Sequence, residues 1–189
     1  MMEVTELTRR LLNVLMAAVC ACAIATGVSS PAGAAAPEPE IIPIDLIQAG
    51  SYTAATRDAI KIWNQAVPQI KFVEQSTPAA LRVQAYTSTI GTSSHSALRG
   101  LGRGSVFLET GDAKIYRPTR VVVHELGHIL SLADLGPGSL CSKIMSGAWA
   151  GSECLNDHPD SEETAAVAAF FATHNVGDPV PGWGSLSRG

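Results

Sequence analysis

The chain has 189 residues and a formal charge of −4, from 13 Lys and Arg against 17 Asp and Glu. No dense basic patch appears, which argues against a nucleic-acid-binding role. Charge is sparse, Ala, Gly and Ser are abundant, and the length suits one domain with a real core.

Residues 1–34 read as an export signal: Arg9 and Arg10, an apolar run from Leu11 to Val28, then small residues at Ala32-Gly33-Ala34. The run is shorter and more broken than a membrane-spanning helix needs, so no stable anchor is expected after cleavage. The destination is extracellular. Thr8-Arg9-Arg10-Leu11-Leu12 hints at a twin-Arg signal, which leaves the export route open. Residues 35–40 read as a leader, 41–176 as the folded domain and 177–189 as a flexible tail.

Within the domain, the apolar stretch 41–47 predicts a strand that begins after Pro43. Ala55, Ala59, Ile62, Trp63 and Ala66 recur at helical spacing, so a helix is expected over 53–67, ended by Pro68. Strands are predicted at 70–74, 81–86 and 105–109. The Ser-, Thr- and Gly-rich stretch 87–104 reads as a long loop with at most an irregular edge strand. A second helix is expected over 119–132, with Val122, Leu126, Ile129 and Leu130 on its buried side. Residues 134–158 form a structured loop. Asp160-Ser161-Glu162-Glu163 has the pattern of a capping box opening a last helix.

The second helix carries HELGH at 124–128. His124 and His128, at i and i+4, leave one face a turn apart, a spacing that suits two ligands of one tetrahedral zinc ion. Glu125 lies where a general base could reach water at the metal without being a ligand. Asp134, six residues past His128, is the candidate third ligand. Two neutral imidazoles and one carboxylate would leave the site at +1. His158 and His174 are rivals for that place, but they lack the short spacing and read as surface residues. Met145, in SKIMSG, would form an apolar floor in a turn below the site. Cys141 and Cys154 are an even pair in an exported chain and predict a disulfide, worth about 3 kcal/mol in the chain-entropy picture. Zinc binding by these thiols is the weaker alternative, since the pair lacks CxxC spacing.

This combination resembles the snapalysin family of small secreted bacterial zinc proteases, whose pattern is HExxHxxGxxD followed by a Met turn. The segments 60–74, 102–109, 119–128 and CSKIMSG through Cys154 are all family-like, and the resemblance spans roughly residues 45–172. It implies an α+β, metzincin-like fold: a mixed, twisted sheet of about five strands, an active-site helix beneath it and a C-terminal helix behind. It implies one zinc ion held by His124, His128 and Asp134, Glu125 as base, a Cys141–Cys154 disulfide, and an extended protein or peptide substrate beside an edge strand. A monomer is expected. Three positions depart from the pattern. Ser131 replaces the family glycine, at a cost on the order of 1–2 kcal/mol if the backbone there needs positive φ. Gly136 stands where the family has a tyrosine. Arg117 stands where the family has a calcium-binding acid, which argues against that calcium site. The activity implied is that of a secreted zinc metalloendopeptidase. The alternatives are a non-catalytic zinc-binding module of the same fold and a zinc hydrolase acting on a non-peptide bond.

Overall fold

The structure, a computed structural model, describes residues 38–76 and 78–180. The expected export signal at 1–34, the leader residues 35–37 and residues 181–189 of the expected tail lie outside the described residues.

Ile42, Ile44 and Leu46 alternate inward along β1 (Glu40–Gln48). This strand includes Pro43 rather than starting after it. The ladder tolerates the proline because of where its missing N–H falls. The Pro43 carbonyl accepts from Ala80 N at 3.0 Å. That side of β1 is paired with the third strand only from Ile44–Leu81 onward, so no ladder bond is lost.

Helix α1 (Thr53–Ala66) crosses back so that β2 (Ile70–Glu74) pairs parallel with β1. Trp63 of α1 is fully buried and donates from Nε1 to Val123 O at 3.0 Å. Asn64 beside it accepts from Phe72 N and donates to Phe72 O, which satisfies the outer side of β2.

The sheet continues with β3 (Leu81–Tyr86), β4 (His95–Gly100) and β5 (Arg103–Glu109) in the order β2-β1-β3-β5-β4. All neighbours are parallel except β4, which runs antiparallel to β5 at the edge. The stretch expected to be a long loop with at most an irregular edge strand therefore contains a six-residue edge strand. Its register with β5 shifts between Leu98 and Gly100, and its sequence carries little alternation for a pattern to detect.

After a single turn, α2 (Asp112–Ile115), comes α3 (Pro118–Ile129), with Pro118 in its first turn. Val122, Val123, Leu126 and Ile129 of α3 are fully buried and join α1 in covering the inner face of the sheet. The helix ends at Ile129, earlier than the expected Leu132. Ser131 N donates to His128 O at 2.9 Å and Leu132 N to Gly127 O at 3.0 Å, a Schellman closure. A 3-10 segment (Ile144–Ala150) and α4 (Ser161–Phe171) complete the domain. The expected capping box opens α4: Asp160 accepts from Glu162 N and Glu163 N, and Glu163 accepts from Asp160 N. The first two residues of the expected tail are tied down, Gly177 N to Leu101 O at 2.7 Å and Leu101 N to Asp178 O at 2.9 Å.

Candidate metal centre

His124 and His128 leave α3 on one face, their ring centroids 4.7 Å apart. Each ring has its Nδ1 committed to a backbone carbonyl: His124 to Ile144 O at 3.1 Å, His128 to Leu132 O at 2.9 Å. A carbonyl only accepts, so both Nδ1 atoms carry protons, which leaves Nε2 of each ring as the nitrogen that could bind a metal.

The second of these bonds depends on Ser131. Its φ of +78° is the one positive value at a non-glycine residue among the described residues. The position of the family glycine thus does take a positive φ, the condition under which a serine there carries a cost. This conformation turns the chain so that Leu132 O faces His128 and the backbone folds back toward Asp134. Leu135 N then donates to Met145 O at 2.9 Å, which ties the segment after Asp134 to the turn around Met145.

Asp134 Oδ1 lies 3.2 Å from His124 Nε2 and 3.4 Å from His128 Nε2. Tetrahedral zinc, with bonds of about 2.0–2.1 Å, holds its ligand atoms about 3.3 Å apart. These three residues are the one group of metal-ligating type found among the described residues. Without a metal, hydrogen bonds from His124 and then His128 hold the Asp134 carboxyl well below the usual carboxylate range. Burial pulls His128 down, but the bond to Asp134, the Glu125 charge and the Leu132 carbonyl together raise it. The imidazoles and the carboxylate thus favour each other's charged forms.

Glu125 is buried, at 3 % exposure. Ser96 on β4 holds it: the hydroxyl lies 2.9 Å from Glu125 Oε2 and 2.8 Å from Glu125 O. Sequence reading missed Ser96, because it lies in the stretch taken for loop.

Met145 is 2 % exposed and packs under α3. A Cβ at Gly127 would lie 2.5 Å from Met145 Sδ, so the glycine of HELGH must remain side-chain-free for the floor to sit there. Gly147 has φ +49°, and a Cβ there would lie 3.1 Å from His124 Cε1. Two oppositely charged residues grip the turn. Arg120 donates to Lys143 O, Asn156 O and Ser146 Oγ at 2.7–3.0 Å. Glu163 accepts from Ile144 N at 3.0 Å and Met145 N at 2.8 Å. Neither was singled out for the site from sequence, although the capping-box pattern marked Glu163 for another reason.

The remaining expectations fall away from the centre. His158 bonds its neighbour Asp157, and His174 stacks on Phe170 with centroids 4.2 Å apart. Arg117 pairs with Asp157 at 2.7 Å, so a guanidinium faces that carboxylate. Cys141 and Cys154 form a disulfide with Cα atoms 5.5 Å apart. Gly136 is exposed, and a Cβ there would meet nothing within 4 Å.

Residues 44–174 match the family described as Streptomyces extracellular neutral proteinase (M7). The chain is 33% identical over 128 residues to an extracellular small neutral protease of Streptomyces caespitosus, covering 68% of this chain and 94% of that one. It is also 33% identical over 124 residues to the protein of the same name from Streptomyces lividans, covering 66% and 53%. Apart from the Streptomyces caespitosus protein, the chain spans little more than half the length of the curated relatives it matches. Among solved structures, High choriolytic enzyme 1, a hatching-enzyme zinc-protease of Oryzias latipes, aligns over 50% of this chain and 44% of its own. That alignment has a TM-score of 0.31 and 24% identity.

Proposed function

The chain belongs to the Streptomyces extracellular neutral proteinase (M7) family, and from that membership we propose that it is a secreted zinc endopeptidase acting on extracellular proteins and peptides. The observation that carries the reading is the spacing of His124 Nε2, His128 Nε2 and Asp134 Oδ1, with both Nδ1 atoms already engaged. These three residues would hold one zinc ion. When bound there, zinc would polarise the scissile carbonyl and acidify the attacking water. Glu125 takes the proton from that water and delivers it to the leaving amine nitrogen. Ser96 and the body of α3 keep the Glu125 carboxylate at one place while it does so. The open edge of β4 offers unpaired backbone groups to an extended peptide.

The test is casein hydrolysis by the purified secreted form, before chelation, after it, and after zinc add-back, with metal content measured in the same samples. Activity that disappears with chelator and returns with zinc supports the proposal. Glu125→Gln should then keep its zinc and lose about 100-fold or more in rate. Unchanged cleavage by Glu125→Gln would overturn the role given to that residue.

One observation favours a second reading, a non-catalytic zinc-binding module. Open space at Gly136 replaces the family tyrosine, so no phenol is available there to assist an oxyanion. One bound zinc per chain with no cleavage of casein or of unfolded proteins would support this module over the protease.

A further inference from the structure

We infer that Glu163, on α4 and 39 residues beyond His124 in the sequence, is a positioning residue for the metal site. It acts on His124 through the single peptide group that joins Ile144 to Met145.

Three observations converge on that peptide. Its carbonyl, Ile144 O, accepts the Nδ1 proton of His124 at 3.1 Å. Its amide, Met145 N, donates to Glu163 Oε1 at 2.8 Å. Glu163 is itself 6 % exposed. A carboxylate that accepts from one end of a peptide pushes electron density toward the carbonyl at the other end, because hydrogen bonds in series polarise one another. The carbonyl then becomes a stronger acceptor for the imidazole proton, and Nε2 a stronger electron donor. The device is a carboxylate–histidine pair with one peptide interposed.

A capping-box glutamate normally serves only its own helix. Here the capping bond, from Asp160 N at 2.9 Å, occupies Oε2, which also accepts from Ile144 N at 3.0 Å. Oε1 is left for Met145 N. The charge is supported by the N-terminus of α4 and by buried Arg120, which feels Glu163 across the turn. The turn also reaches the third candidate ligand, since Met145 O accepts from Leu135 N next to Asp134. A shift of this turn would move two of the three ligands together.

The inference rests on the ligand assignment of the previous subsection, and its test separates the two. Zinc affinity is measured by competition with a chromogenic chelator for wild type, Glu163→Gln, Val167→Ala and His124→Ala. Val167 is fully buried one helical turn beyond Glu163 and shares the core with Ile144 and Met145; its side chain has no hydrogen-bonding group, so its truncation weakens packing without removing a hydrogen bond to the turn. The expected result is about tenfold weaker zinc binding by Glu163→Gln, near wild-type affinity for Val167→Ala at comparable loss of thermal stability, and collapse for His124→Ala. Equal affinity losses in Glu163→Gln and Val167→Ala would reduce Glu163 to a helix cap and overturn the inference. Undiminished zinc binding by His124→Ala would instead overturn the ligand assignment. A wild-type measurement covers the case in which Glu163→Gln does not fold. Zinc loading should move the Met145 amide proton downfield in NMR spectra as the relay tightens. A Met145 amide that stays in place while the His124 ring nitrogens respond to zinc is also incompatible with the relay.

Discussion

The Ser96 hydroxyl touches Glu125 twice, at Oε2 and at the backbone carbonyl, so the edge strand of the sheet is bonded directly to the middle of HELGH. One hydroxyl proton serves two acceptors, one of them a carboxylate that is 3 % exposed. Ser96→Ala should therefore lower kcat by roughly tenfold, the order expected from losing one hydrogen bond to a charged group. Ser96→Thr, which keeps the hydroxyl, should recover most of that loss. Steady-state kinetics with parallel zinc analysis checks this; an alanine variant with full kcat would show that α3 alone orients the base.

Ser131 occupies a backbone conformation that favours glycine, and it does so at the turn that presents Leu132 O to His128. Ser131→Gly should stabilise the protein by about 1 kcal/mol, read as a higher urea midpoint at unchanged slope. Activity should be retained, because the turn already has the geometry that glycine would adopt.

Gly127 and Met145 are coupled by contact. Gly127→Ala forces a methyl group against Met145 Sδ inside a packed region and should cost about 1–3 kcal/mol. Met145→Ala removes the obstacle while opening a cavity. The double variant should then be less destabilised than the two single changes added together. Thermal unfolding of the four proteins closes this cycle, and strict additivity would mean that the turn moves aside freely.

Chelation should change how stability depends on pH. In the metal-free protein the depressed Asp134 carboxyl contributes stability above its unfolded value near 3.9, and this is lost as pH falls through the lower folded value. The raised His128 contributes below its unfolded value near 6.5, and this is lost as pH rises through the higher folded value. Both contributions are complete together only between about pH 4 and 6.5. Melting temperatures of the chelated protein should peak in that window and fall toward pH 8. The zinc-loaded protein should keep its melting temperature at pH 8, since metal binding favours neutral imidazole.

Much of this architecture was legible in the chain because it is encoded locally. The i,i+4 histidines, the apolar side of α3, the α1 periodicity ended by Pro68 and the Asp160–Glu163 box depend on residues within one or two turns of each other. Local steric and hydrogen-bond rules suffice to read them. Ser131 is different: the sequence placed it inside a helix expected to run to Leu132, and only the family glycine at that position pointed to a positive φ. Asp134 was legible as a ligand candidate through its fixed distance from His128.

Tertiary structure alone decided the rest. That β4 exists, lies at the sheet edge and turns Ser96 toward Glu125 depends on its register against β5, and a one-residue slip would point Ser96 to the opposite face. That Pro43 sits inside β1 depends on where β3 begins beside it. That Glu163 reaches Met145, and Arg120 the carbonyls of Lys143 and Asn156, depends on how α3 and α4 pack around the turn. Sequence determined which groups the site has to work with, through short-range spacing. Packing decided which of them meet, because contacts between distant segments are selected by the burial of the whole core and leave no periodic trace in either segment.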